Sequence, residues 1–220
     1  QSQGQDRLTT ETTPRRLASI DELEFGAVLS DLDGVVYRGD EAIEGAVERF
    51  RIWRERGIAC AFVTNNAERT AAEFARKIVG LGIECAGHEV VTAADIALHY
   101  ARGRYPAGAR AYVVGSPAFF GQVEAAGFEI ADQDARLVLV GLDRQFSYDK
   151  MKAAQRAILA GAELIGANPD PIRPVADGFE PGTGAILQAI AVAAGVTPKI
   201  LGKPAPDILD LAMERIGADR

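Results

Sequence analysis

Short apolar runs alternate with helix-length amphipathic segments along most of this chain. Residues 27–32 and 58–63 are mainly apolar runs of strand length, and residues 41–56 and 70–81 carry apolar side chains at helical spacing. A glycine follows each of the two helical segments, as is common at helix ends. Strands buried on both faces occur in parallel sheets, which are connected by right-handed crossovers. The alternation therefore predicts an α/β fold with a Rossmann-like parallel-sheet core.

The same alternation restarts in the second half of the chain. Apolar strand patterns recur at residues 111–114, 137–142 and 164–167, with helical patterns between them. We therefore predict a second α/β module, a cap, inserted into the first. The predicted division is a polar, aperiodic arm at residues 1–20, a core at residues 21–101, the inserted cap at residues 102–178 and a second core part at residues 179–220.

Composition excludes several classes of protein. The chain of 220 residues is 48% hydrophobic, which is enough for a sizeable core. Its net charge of -7 argues against a nucleic-acid partner, and no apolar run approaches the length of a membrane span. Two cysteines and two histidines are too few for a disulfide framework and are not spaced for zinc. With no signal-peptide pattern, we expect a cytoplasmic protein with neither membrane nor nucleic-acid partners.

Two aspartates, Asp31 and Asp33, follow the first apolar run, and Gly34 comes next. Ligand-binding and active sites of open α/β sheets lie just beyond the carboxyl ends of the strands. One carboxylate there can act as a nucleophile while the other transfers protons, and both can face a divalent cation. Taken alone, the pattern is also typical of a solvated turn. A calcium loop would need further oxygen ligands and a closing glutamate, which are missing.

Two more polar motifs follow buried strands: Thr64-Asn65-Asn66 and Gly202-Lys203-Pro204. Each alone is typical of a helix cap or a surface turn, and the second lacks the Ser or Thr of a Walker phosphate loop. Together with the aspartates they form a set suited to a phosphate monoester. Mg²⁺ bridging Asp31 and the phosphate would offset their repulsion, Lys203 would neutralise a second oxygen, and the Thr64 hydroxyl would hold a third. Asp33 would protonate the leaving group and then activate water.

With these motifs in this order, the chain resembles the haloacid dehalogenase-like hydrolase superfamily. More narrowly it resembles the branch of 4-nitrophenylphosphatase, phosphoglycolate phosphatase and NagD-type enzymes. The resemblance extends from about residue 25 to the end of the chain, and it rests on six segments: residues 31–39, 62–66, 140–144, 167–170, 181–184 and 202–204.

The resemblance implies a magnesium-dependent phosphatase of small organic phosphates that works through an aspartyl-phosphate. It makes Asp31 the nucleophile, and Asp33 the acid/base and a magnesium ligand through its backbone carbonyl. It assigns phosphate binding to Thr64, Asn65, Asn66 and Lys203, and it matches the inserted module to the large cap of this branch. An Asp at position 33 favours phosphoryl transfer to water over dehalogenation.

The resemblance is incomplete at the C-terminal end. An acidic fourth motif, which should supply the third magnesium ligand, would follow one more strand beyond residues 218–220. The family places that strand beside the first one, so its loss would leave a bare sheet edge. We therefore expect this sequence to be a truncated form of a longer protein. In the truncated form we expect metal binding and activity to be weakened.

Arg173 is the candidate for substrate specificity, because the cap of the family approaches the mouth of the site near this position. It suits a carboxylate or a second phosphate on the substrate, although a solvated arginine beside Pro174 explains it equally well. A second polar cluster, Asp143, Arg144 and Tyr148, fits either the substrate or a homodimer formed through the cap.

Two other functions remain open on the sequence. A phosphomutase or phosphotransferase would use the same intermediate with another acceptor. The other alternative is a non-catalytic regulatory protein that binds phosphate.

Overall fold

The computed structural model describes residues 24–175 and 178–219, so the predicted arm at residues 1–20 lies outside the described residues. The strands are β1 (Ala27–Asp31), β2 (Tyr37–Arg38), β3 (Glu41–Ala42), β4 (Ala59–Thr64), β5 (Val90–Thr92), β6 (Arg110–Val114), β7 (Glu129–Ile130), β8 (Leu137–Val140), β9 (Glu163–Gly166), β10 (Ile172–Val175), β11 (Gly178–Pro181) and β12 (Lys199–Ile200). The α-helices are α1 (Ala46–Glu55), α2 (Ala71–Gly80), α3 (Ala93–Arg104), α4 (Pro117–Ala125), α5 (Tyr148–Leu159), α6 (Thr183–Ala194) and α7 (Asp207–Arg215).

The first sheet is parallel and has the order β1-β4-β5. Asp31 at the end of β1 pairs with Val63, and Thr64 at the end of β4 pairs with Thr92. The carboxyl ends of β1 and β4 therefore coincide, which brings the first two polar motifs to one edge of the sheet. Among the described strands, β1 is an edge strand of this sheet, and its first three residues are only half-buried.

The second sheet is also parallel, with the order β12-β9-β8-β6-β7. The mixed α/β class with parallel sheets, predicted from the sequence, is thus confirmed. Helix α6 packs with α5 against the second sheet, and β12 extends that sheet beside β9. Residues 183–200 therefore pack with the second sheet, although they follow the predicted cap boundary at residue 178. The boundaries of the folding units themselves stay a prediction.

Two hairpins were not predicted from the sequence. Strands β2 and β3 form the first of them, so α1 begins at Ala46 and not near residue 41. Gly39 and Gly45 have φ values of 60° and 80°, which permit the hairpin turn and the left-handed residue before the helix. Strands β10 and β11 form the second hairpin. Strands of two to four residues are too short for a recognisable period, which is why the sequence did not reveal them.

One apolar cluster joins the two sheets. It contains Val63 from β4, Val113 and Leu139 from the second sheet, and Ile208 from α7. This shared core holds the carboxyl ends of β1 and β4 against the loops that follow β8 and β9. No helix in the described part of the chain is long and apolar enough to cross a membrane.

Candidate active site

A cavity of about 380 Å³ lies where the carboxyl end of the first sheet meets the loops of the second. The catalytic, phosphate-binding and specificity residues predicted from the sequence all line this cavity: Asp31, Asp33, Thr64, Asn65, Asn66, Arg173 and Lys203. The structure therefore brings together motifs that are up to about 170 positions apart in the chain, as expected for residues that follow parallel strands.

Asp31 is the last residue of β1, and its side chain is 45% exposed to the cavity. Its Oδ1 accepts a hydrogen bond of 2.7 Å from the backbone N–H of Leu32, and it lies 2.6 Å from Nζ of Lys203. Lys203 Nζ also donates to the carbonyl of Val63, at 3.2 Å. The carboxylate is thus held in place beside a cation while it remains accessible to a substrate.

Asp33 lies in a tight turn that leaves β1. The turn is held by hydrogen bonds from Val36 N to Leu32 O at 2.9 Å and from Gly34 N to Tyr37 O at 2.8 Å. Desolvation raises the pKa of the Asp33 carboxyl group; the charge of Asp31 adds to this, whereas Lys77 and other nearby cations oppose it. A carboxyl group with a raised pKa holds its proton to higher pH, as a general acid requires.

Lys77 was not recognised as a site residue from the sequence. It lies on α2, and its Nζ is 4.0 Å from the centre of the Tyr37 ring. The same Nζ donates to Gly39 O at 2.6 Å and lies 3.3 Å from a carboxylate oxygen of Asp40. Lys77 thus fastens the β2–β3 hairpin to α2, close to Asp33. No local motif signals this contact, because it joins residues 38 positions apart.

The second motif is divided between two tasks. Thr64 Oγ1 accepts a hydrogen bond from the backbone N–H of Asn66 at 3.2 Å, and Thr64 lines the cavity. The Asn65 amide group donates to Asp170 Oδ2 and to Lys203 O, both at 2.9 Å. Asn168 Nδ2 in turn donates to the Asn65 backbone carbonyl at 2.6 Å. The Asn65 side chain therefore ties the first sheet to the loop after β9 and to the Lys203 segment.

Arg173 lines the cavity but is paired with Glu68. One of its guanidinium nitrogens lies 2.6 Å from Glu68 Oε2. Arg144 lies 3.7 Å from the other Glu68 oxygen and 3.2 Å from Glu180. Sequence reasoning missed Glu68, because its two arginine partners come from the second half of the chain.

The rest of the predicted cap cluster is structural or exposed. Asp143 is buried and forms an ion pair of 2.6 Å with Lys150. Tyr148 is 74% exposed and lies outside the cavity lining.

The oxygen atoms that line the cavity supply part of the coordination shell that a hard cation such as Mg²⁺ needs. Asp31 and Asp33 supply oxygen atoms, whereas the described residues contain no group of three Asp, Glu, His or Cys that could hold a metal ion. Mg²⁺ is commonly held by one or two carboxylates, with water and substrate phosphate completing its shell. The residues present fit such a site.

The comparisons with known proteins agree with the motifs. Residues 28–129 match the family model described as haloacid dehalogenase-like hydrolase. The acid sugar phosphatase of Staphylococcus aureus is 35% identical over 198 residues, which cover 90% of this chain and 76% of the relative.

Solved structures give the same result. NagD from E. coli has a TM-score of 0.81 at 30% identity, over 89% of this chain and 76% of its own. The glycerol phosphate phosphatase of Mycobacterium tuberculosis, in complex with magnesium, has a TM-score of 0.76 at 35% identity, over 86% of this chain and 58% of its own. The resemblance found in the sequence is therefore confirmed: the chain belongs to the haloacid dehalogenase-like hydrolases, in the NagD-like branch of phosphatases.

Proposed function

We propose that this phosphatase is magnesium-dependent and hydrolyses small organic phosphate monoesters through an aspartyl-phosphate on Asp31. The observation that carries the proposal is the arrangement of Asp31 and Lys203. An accessible carboxylate lies 2.6 Å from a cation, in a cavity that Asp33 also lines. A nucleophile, an anion-neutralising group and a proton carrier are the parts that such a transfer needs.

In the first step an oxygen of Asp31 attacks phosphorus, and the bond from phosphorus to the ester oxygen breaks. Asp33 donates its proton to the departing alkoxide, which leaves as an alcohol. Lys203 neutralises charge on the phosphoryl oxygens, and the Thr64 hydroxyl donates to one of them. The raised pKa of Asp33 supports its role as the acid.

In the second step water attacks the phosphorus of the aspartyl-phosphate. Asp33, now a carboxylate, takes a proton from that water, and the bond from Asp31 to phosphorus breaks. Inorganic phosphate leaves, and both aspartates return to their starting states.

Magnesium would be held by the Asp31 carboxylate and the Asp33 backbone carbonyl. When bound, it would reduce the repulsion between the phosphate dianion and the Asp31 carboxylate. The proposal is supported by the oxygen donors of the cavity and by the magnesium-bound structure of the mycobacterial relative.

The size of the cavity favours small substrates. About 380 Å³ is near the lower end of the usual range for ligand pockets. Two relatives carry the names acid sugar phosphatase and glycerol phosphate phosphatase, so a phosphorylated sugar or polyol is the substrate class we propose. We also propose a cytoplasmic location, where Cys60 and Cys85 stay free as they are here. A homodimer formed through the cap is proposed as well.

Hydrolysis of 4-nitrophenyl phosphate, measured with and without magnesium, tests the proposal. We expect turnover that needs magnesium and that Asp31→Asn abolishes. Transfer of phosphate to an added alcohol or sugar without net release would favour the phosphotransferase reading. Phosphate binding without any turnover would favour the regulator.

A further inference from the structure

The ion pair between Glu68 and Arg173 crosses the cavity from the first sheet module to the β10–β11 hairpin. From its geometry we propose that Glu68 determines specificity: by holding Arg173, it selects monoesters whose leaving group is uncharged and disfavours those with a second anionic group. This inference rests on the proposed function and narrows its substrate class.

The pair is close and largely protected from solvent. The Arg173 nitrogen and Glu68 Oε2 are 2.6 Å apart, and their side chains are 28% and 23% exposed. Arg144 and Glu180 extend the pair to a neutral cluster of two arginines and two glutamates. A charge pair at this distance and burial is not readily exchanged for water or for another anion.

Glu68 is also fixed relative to the phosphate-binding motif. Its backbone N–H donates to Asn66 Oδ1 at 2.7 Å, two residues after Asn66 itself. The carboxylate that holds Arg173 is therefore positioned by the segment that carries Thr64.

Among the described residues that line the cavity, each cation is already paired with a carboxylate, so none is available for a second anion on the substrate. The charged lining residues are four carboxylates and two cations: Asp31, Asp33, Glu68, Asp170, Arg173 and Lys203. Lys203 is paired with Asp31, and Arg173 with Glu68. A carboxylate on the leaving group would have to displace Glu68 from Arg173. The partly buried Glu68 carboxylate would then keep only the longer contact of 3.7 Å with Arg144 and would lie beside another anion. An uncharged polyol or sugar carries no such penalty.

Two substrates with the same carbon skeleton test this directly. Glycerol 1-phosphate and 3-phosphoglycerate differ in having a hydroxymethyl group or a carboxylate at the far end. We expect the wild-type protein to prefer glycerol 1-phosphate. Glu68→Gln should shift the ratio of kcat/KM toward 3-phosphoglycerate by about ten- to a hundredfold, mainly through KM, because Arg173 gains a charged partner on the substrate.

Two further variants separate this effect from general electrostatics and from misfolding. Glu180→Gln removes the same charge from the same cluster outside the cavity lining, and it should leave the substrate ratio within about twofold of wild type, as befits a partly exposed pair. Adding Arg173→Gln to Glu68→Gln should abolish the gain. An equal shift in Glu180→Gln, or a gain that survives the loss of Arg173, would overturn the inference.

Binding gives a second readout that does not need turnover. In an Asp31→Asn background, calorimetric titration should show 3-phosphoglycerate gaining affinity on Glu68→Gln while glycerol 1-phosphate does not. If wild type hydrolyses neither these two substrates nor 4-nitrophenyl phosphate, and binds none of them, the proposed function fails. If it prefers glycerol 1-phosphate but Glu68→Gln leaves the ratio unchanged, only the role of Glu68 fails.

Discussion

Gly184, in the first turn of α6, is the position where the smallest substitution should have the largest structural effect. Its backbone N–H donates to Asp170 O at 2.8 Å. A Cβ added there would lie 2.0 Å from the Pro169 carbonyl oxygen and 2.4 Å from its carbon, both backbone atoms. The helix and the loop after β9 would have to separate by about 1.4 Å to bring the 2.0 Å contact to 3.4 Å, where ordinary van der Waals contact begins. Overpacking together with the strained hydrogen bond should cost Gly184→Ala about 2–4 kcal/mol of unfolding free energy.

The same displacement should reach the site. Asp170 accepts the Asn65 amide, which also holds the Lys203 carbonyl, so moving the loop loosens the contacts that position Lys203 beside Asp31. We therefore expect Gly184→Ala to lower kcat/KM for 4-nitrophenyl phosphate by about tenfold as well, the equivalent of one lost hydrogen bond.

Urea unfolding followed by circular dichroism measures the stability change. Gly121→Ala is the matched control, because Gly121 lies within α4 and its Cβ would meet nothing within 4 Å. That control should be more stable than wild type by about 0.5–1 kcal/mol, since alanine favours the helix. A Gly184→Ala protein within about 0.5 kcal/mol of wild type, which is the scatter of neutral substitutions, would refute the packing argument.

Three further predictions concern charge and capping. Lys203→Gln should raise the inhibition constant of inorganic phosphate about tenfold, because the cation beside Asp31 is lost; an unchanged constant would contradict its role. Asp33→Asn should abolish turnover yet raise Tm at pH 7. Folding raises the pKa of Asp33, so ionisation of this carboxyl group lowers the stability of the folded protein once the pH exceeds the unfolded pKa. The Tm difference between Asp33→Asn and wild type should therefore vanish at low pH, where both side chains are neutral. A Tm difference that grows as the pH falls would refute this explanation. Thr70→Ala should lower the free energy of unfolding, measured in urea, by about 1 kcal/mol, because the capping box of Thr70 and Glu73 begins α2. A decrease of less than about 0.3 kcal/mol would contradict this role of Thr70.

Much of the site was predictable because parallel strands end at a common edge. The apolar runs before Asp31 and Thr64 marked β1 and β4, and their register brings the two motifs together. The combination of two carboxylates, a hydroxyl group and a lysine then indicated phosphate chemistry from the sequence alone. Element positions were predicted best where a long period or a cap marked them, as at Thr70.

What the sequence did not reveal depends on contacts between distant segments. Arg173 was correctly expected at the cavity, but its partner Glu68 lies 105 positions away and carries no motif. Lys77 reaches the β2–β3 hairpin only once α2 has packed. The position of β12 beside β9 likewise follows from tertiary packing, since two residues have no period of their own.

Asp31 should carry the phosphoryl group between the two steps of the proposed reaction. Acid quenching of the protein during turnover of a radiolabelled monoester, followed by peptide mapping, tests it most directly. We expect label on the peptide that contains Asp31, lost on treatment with hydroxylamine and absent in Asp31→Asn. Turnover with no label at Asp31, or with label on another residue, would contradict the account.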